Sequence, residues 1–181
     1  RRIWTLPQPV IAKVNGACLG GGMALAMACD LTYASETAFF GDAEIKFGGG
    51  GNMFPILQWI IGMKKLNELM LTGRNVYAPE ALELGMINEL LPVDELDARV
   101  ETVARHMCLL PAGTLVKNKA NAHRWYEEQG LMQTVRSSED SAVLGLSTAG
   151  ESEFTRISKA EGVSAALRWQ KQRFAEVGAF R

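Results

Sequence analysis

Apolar residues follow two rhythms along this chain. In the front third they form short runs broken by glycine and proline, and from about residue 52 they recur at helical spacing. Val10-Ile11-Ala12-Lys13-Val14, just after Pro9, has the length and β-branched content of a strand that becomes buried. Asn15-Gly16 is a turn signal, and a second short strand runs through Leu19. Gly20-Gly21-Gly22 then opens a compact apolar helix, Met23 to Cys29, too short to hold together unless packed. Asp30 ends it, and Leu31 to Ala34 and Ala38 to Phe40 read as further strands. Strands joined through short helices predict crossover units around a buried parallel sheet.

Beyond residue 52 the pattern is mostly helical. Met53 to Ile61 and Lys64 to Leu71 are predicted as two helices parted by Gly62, and Pro79 sits in the first turn of another, where its missing N–H costs nothing. Asp94 to Leu110 carries Leu96, Val100, Val103 and Met107 on one stripe that would face a core, and Pro111 stops it. Helices are then predicted at 112–128, 130–148 and 162–178. Val163, Leu167, Phe174 and Val177, with Trp169 near them, give the last an apolar face for core or subunit contacts. Trp125, Trp169 and Phe174 are expected in buried helix contacts. The reading is therefore an α/β core over 1–110 followed by a helical region over 111–181.

Composition narrows the function classes. Apolar residues make up 48% and charged residues 22%, with a formal net charge of −1, so no global basic field draws nucleic acid or anionic lipid. Apolar runs such as Ile56 to Ile61 are too short to span a bilayer, and no signal peptide is expected from the opening residues. Three cysteines, Cys18, Cys29 and Cys108, lack paired spacing, which points to a reducing, cytoplasmic compartment. Cys18 and Cys29 read as small buried hydrophobes. His106 and His123 fall on separate helices as surface or helix-end residues, and no metal-ligand spacing occurs.

Two local features carry chemistry. In Asn15-Gly16-Ala17-Cys18-Leu19-Gly20-Gly21-Gly22-Met23-Ala24 a strand runs through three glycines into a helix, so the backbone can turn sharply and a ligand can approach it. The first N–H groups of that helix have no internal partner and sit at its positive end, suited to a developing oxyanion. A tight helix–strand turn explains the glycines equally well. In Phe39-Phe40-Gly41-Asp42-Ala43-Glu44-Ile45 an acid follows an aromatic strand end. An apolar wall there would make a carboxylate a better base near neutrality. A solvated loop glutamate is the plainer reading of Glu44 taken alone.

In order along the chain stand Pro9 to Gly16, Leu19-Gly20-Gly21-Gly22, Ala28-Cys29-Asp30 and Phe40-Gly41-Asp42-Ala43-Glu44. Leu71-Thr72-Gly73-Arg74, Ala78-Pro79-Glu80-Ala81 and Leu84-Gly85-Met86-Ile87-Asn88 follow. This series closely resembles the signature of the crotonase superfamily, the enoyl-CoA hydratase/isomerase family. The resemblance implies a crotonase-type spiral of ββα turns with a C-terminal helical region that mediates trimerisation. It implies an acyl-CoA thioester substrate, coenzyme A being part of the substrate and no other cofactor needed. It further implies a homotrimer or dimer of trimers, with no role for nucleic acid, membrane or metal. By the same resemblance the N–H of Gly21 is one of two oxyanion donors and Glu44 is the acid/base. Leu19, Gly20, Gly22 and Ala24 flank the donor as substrate contacts.

Three departures from the family pattern matter. Its other acidic position falls on Ala24, so the chain looks more like the family's isomerases, in which one base shuttles a proton, or like some of its lyases, than like two-carboxylate hydratases. Asp42 is a candidate for the second carboxylate or an outward-pointing residue. The segment Gly48-Gly49-Gly50-Gly51-Asn52-Met53-Phe54-Pro55 differs from the usual hydratase loop; Asn52 is either a substrate contact or the N-cap of the next helix. The family's N-terminal part, with the first oxyanion donor and the adenine-receiving segment, is missing, so a fragment of a longer chain is expected. Lys171 and Arg173 are candidates for CoA-phosphate contacts or plain solvated cations. A non-catalytic acyl-CoA-binding member is the rival reading, whereas a serine hydrolase lacks its GxSxG elbow.

Overall fold

Each of the first two windings lays one strand in a first sheet, the next strand in a second sheet, and then a helix. The third enters the second sheet first and returns to the first sheet after its helix. The computed structural model describes residues 2–49, 55–148 and 151–177. After a short α1 (Arg2–Thr5), β1 (Ile11–Val14), β2 (Ala17–Leu19) and α2 (Gly21–Ala28) make one turn. Next come β3 (Leu31–Ser35), β4 (Phe39–Gly41), a 3-10 turn at Ala43–Phe47 and α3 (Leu57–Thr72). Then β5 (Val76–Tyr77), α4 (Ala78–Glu83) and β6 (Glu89–Leu91) complete the strands. The sheet orders are β1-β3-β6 and β2-β4-β5, parallel except for the β4–β5 pair. Parallel neighbours arise because each strand is re-entered only after a crossover.

The main core lies between the sheets and the helices that cover them. Phe40, Leu57, Leu69 and Val76 are fully buried in it, and Leu131 and Val135 join the same cluster from the C-terminal helices. Ala34, Ala38, Ala78 and Ala81 have no exposed surface, and their small size lets the layers approach closely. A second cluster forms where α5 (Leu96–Cys108) sets Leu96, Val100 and Val103 against Tyr33 and Leu91. The expected stripe of α5 thus faces a core at its first three positions. The remaining helices are α6 (Ala112–Glu128), α7 (Leu131–Thr148), α8 (Glu153–Glu161) and α9 (Val163–Val177).

Several expectations need correction. The helix after the glycines begins at Gly21, with Cys29 as its C-terminal cap residue. The helix expected from Met53 begins at Leu57, after Pro55, and residues 50–54 lie outside the described ones. Gly62 does break α3, with φ 75 and ψ 161 inside the helical run. The apolar face expected on α9 is not buried within the chain: Val163, Leu167, Phe174 and Val177 are exposed and only Ala166 is buried. Trp125 is likewise exposed. Cys18 is buried, Cys29 only half-buried and Cys108 exposed.

His123 is not a simple surface residue. Its ring stacks on Trp4 with centroids 3.6 Å apart, and its Nε2 lies 3.1 Å from Asp30 Oδ1. The other Asp30 oxygen accepts from Lys119 Nζ and from the Val10 N–H, both at 2.7 Å. Asp30, at the end of α2, therefore pins the otherwise exposed α6 to the sheets. Lys119 also donates to the Gln8 carbonyl at 2.9 Å.

Candidate active site

The register of the second sheet brings the two chemical features together. Leu19 is paired with Gly41 in the parallel β2–β4 ladder, so Gly20 and the segment from Asp42 leave the sheet at the same end. Gly20 donates its N–H to the Gly41 carbonyl at 2.8 Å and adopts φ 50, ψ −118, a backbone conformation open to glycine. Its own carbonyl takes the first helical bond, from Ala24 N–H at 3.0 Å. That geometry starts α2 and leaves the N–H groups of Gly21, Gly22 and Met23 without partners inside the helix.

The Glu44 carboxylate lies directly against Gly20. A Cβ placed on Gly20 would collide with both carboxylate oxygens and their carbon, so the missing side chain is the space the acid fills. Oε2 of Glu44 is buried and has no hydrogen-bond partner among the described residues. An orphaned carboxylate oxygen inside a protein is costly, roughly 1–3 kcal/mol, and asks for a role. The main chain around Glu44, by contrast, is well held. Its N–H donates to Asp42 Oδ1 at 3.2 Å, and its carbonyl accepts from Gly49 N–H at 3.0 Å.

Asp42 is therefore the buried N-cap of the 3-10 turn. Of the other positions singled out in the sequence, Leu19 ends β2 beside the site and Ala24 lies half-buried against the core in α2. Gly22 is exposed, with open space where a Cβ would stand. Asn52 lies outside the described residues. Lys171 and Arg173 are exposed on α9, and the Arg173 guanidinium sits 5.4 Å from the centre of the Trp169 ring. An open cavity of about 270 Å³ lies between β1, β2 and α2, lined by Val14, Cys18, Gly22, Leu25 and Cys29; Glu44 is not among its walls.

Three groups near the site escaped sequence reasoning. Gly41 leaves room for the Asn75 side chain, whose oxygen would stand 2.7 Å from a Cβ there. The Arg74 guanidinium reaches Glu80 through two bonds of 2.6 and 2.8 Å and Glu68 at 3.2 Å. Hydrogen bonding to Arg74 holds both carboxyls below the usual glutamate range. The third group, Ser152 and Gln170, reaches the 3-10 turn from far along the chain. Ser152 Oγ donates to the Phe47 carbonyl at 2.9 Å, and Gln170 Nε2 donates to that of Lys46. A Ser-x-x-Thr cap is visible in the sequence at Ser152, but nothing local announces a partner 105 residues away.

The arrangement sets N–H groups without helical partners, at a helix start, close to one carboxylate whose Oε2 has an unused lone pair. Residues 1–149 match the family model for enoyl-CoA hydratase/isomerase. A probable mitochondrial enoyl-CoA hydratase of Dictyostelium discoideum is 39% identical over 123 residues, which is 66% of this chain and 44% of that protein. The chain thus spans under half the length of that curated relative. An enoyl-CoA hydratase/isomerase crystal structure from Xanthobacter autotrophicus Py2 superposes with a TM-score of 0.87 at 37% identity, covering 96% of this chain and 65% of that one. A monofunctional enoyl-CoA isomerase from Mycobacterium smegmatis gives 0.64 at 34% identity, covering 72% of this chain and 64% of that one. The winding of ββα turns is the crotonase fold, and the chain belongs to the enoyl-CoA hydratase/isomerase family.

Proposed function

We propose that this chain carries the donor-and-base half of an acyl-CoA site. In it the Gly21 N–H holds the thioester oxygen while Glu44 moves a proton on the carbons beside it. The observation that carries the reading is the Glu44 carboxylate pressed against Gly20, one residue from that N–H, with Oε2 buried and unpartnered. Removing a proton next to a thioester carbonyl pushes negative charge onto its oxygen. A preorganised N–H at a helix start stabilises that charge more than the neutral carbonyl, by about 3 kcal/mol per donor in comparable sites.

Within the family's chemistry, double-bond isomerisation is favoured over hydration. Ala24 offers no carboxylate, and Asp42 is occupied in capping the 3-10 turn. One carboxylate suffices to take the proton from the carbon beside the thioester and return it two carbons further on, which moves the double bond without net gain or loss of atoms. Hydration needs a water activated and a proton delivered. The exposed Val163, Leu167, Phe174 and Val177 support subunit contacts through α9, in line with a trimeric assembly.

The deciding experiment incubates the full-length protein with a 3-enoyl-CoA and a 2-enoyl-CoA. Interconversion of the two without hydration, lost in Glu44→Gln, is the expected result. Unchanged turnover in Glu44→Gln removes Glu44 from the mechanism. Thioester binding without any turnover favours a non-catalytic binding role, consistent with Ala24.

A further inference from the structure

Oε2 of Glu44 has no hydrogen-bond partner among the described residues, so the aim of the carboxylate leans on the backbone beneath it. That backbone is a five-residue 3-10 turn, too short to be stable in isolation. Asp42 holds its start, and Gly48, with φ 83, closes its end by donating to the Ile45 carbonyl at 3.3 Å. The carbonyls of Lys46 and Phe47 remain to be satisfied. Both are taken by the C-terminal helix pair, through Gln170 on α9 and Ser152 at the N-cap of α8.

We infer that α8 and α9 act as a clasp on the 3-10 turn, with Ser152 and Gln170 as positioning residues that fix the aim of Glu44. Ser152 fits the part because its hydroxyl has two directed duties. It donates to the Phe47 carbonyl and accepts from the Thr155 N–H at 3.1 Å, so the start of α8 and the end of the turn are locked through one oxygen. The approach is possible only because residue 48 is glycine: a Cβ there would stand 2.6 Å from the Ser152 Cβ. An aromatic and a cation–π contact run alongside. The Phe47 and Phe154 rings lie 4.7 Å apart, and Lys46 Nζ sits 5.6 Å from the centre of the Phe174 ring. The inference rests on the reading of Glu44 as the proton carrier.

Full-length protein would be assayed on 3-enoyl- and 2-enoyl-CoA as wild type, Ser152→Ala, Gln170→Met and Glu44→Gln. Each clasp substitution would also be combined with Glu44→Gln. A small displacement of a reacting group is enough to cost one to two orders of magnitude. Each clasp variant is therefore expected to lose roughly tenfold in kcat with KM within about twofold, and to cause no further loss in whatever residual turnover Glu44→Gln retains. Equal losses in both backgrounds, or kcat near wild type in both variants while Glu44→Gln is inactive, overturn the clasp. Full turnover in Glu44→Gln overturns the underlying reading instead. Should Ser152→Ala fail to fold, Gln170→Met decides, since α9 buries only Ala166.

Discussion

Leu19 lies beside Gly41 in a parallel ladder, and this one pairing places an acid three residues after Gly41 against a glycine one residue after Leu19. A glycine-rich helix start and an isolated glutamate become one site because the strands before them are neighbours in register. A slip of one residue would separate them, since it moves every side chain to the opposite face.

Gly20→Ala should therefore be more harmful than its size suggests. The new methyl meets the Glu44 carboxylate, and an alanine must adopt φ 50 with ψ −118. The expected cost is about 1–3 kcal/mol of stability. Turnover on enoyl-CoA should fall by about 100-fold. Gly22→Ala, which meets nothing within 4 Å, should melt like wild type. Thermal melts of the two variants side by side check the contrast.

Arg74→Met tests the ion cluster behind the site. Its loss removes the bidentate bond to Glu80, and a destabilisation of about 2 kcal/mol at neutral pH is expected. Because hydrogen bonding to Arg74 depresses both glutamates, their stabilisation is complete above the ordinary glutamate pKa and is lost as pH falls through the lower folded values. Urea titrations should show wild type and variant converging below about pH 4. A constant gap down to pH 2 would assign the effect to packing.

Asp30→Ala should loosen α6. The substitution leaves Lys119, whose side chain is only 7% exposed, without its carboxylate, and His123 loses the same partner. Stranding a buried cation costs about 3 kcal/mol or more. Limited proteolysis should then cut first within 112–128. Protection equal to wild type would show that the Trp4–His123 stack suffices.

Burial pushes the Cys18 thiol up to about 11, with Cys29 adding to the effect. The folded state thus keeps a proton that the unfolded chain releases, and stability should fall as pH rises from about 9 toward 11. Cys18→Ala should lessen that slope in alkaline melts. Iodoacetamide should label exposed Cys108 in native protein and reach Cys18 only in urea.

Much of this was legible from residues alone. The order of glycine turn, Cys29-Asp30 and Phe40-Gly41-Asp42-Ala43-Glu44 was enough for the fold family, because crossover strands and a helix-start donor leave local signatures. Gly62 and Pro111 marked helix ends for the same reason. The roles of Asp30, His123, Ser152 and Gln170 were not legible, since each is set by a partner far along the chain. The apolar stripe of α9 could be read for core or subunit contacts but not assigned between them, because periodicity reports a face and not what covers it. Short β5 and β6, two and three residues long, carry too little pattern to stand out.

The reach of the clasp has a consequence for biosynthesis. Ser152 meets Phe47 across 105 residues and Gln170 meets Lys46 across 124, whereas Glu44 meets a glycine on the preceding winding of the spiral. Closing a long loop costs more entropy than closing a short one, and a ribosome delivers the chain from its N-terminus. The nascent protein should therefore lodge its acid early and immobilise it only when α9 has emerged.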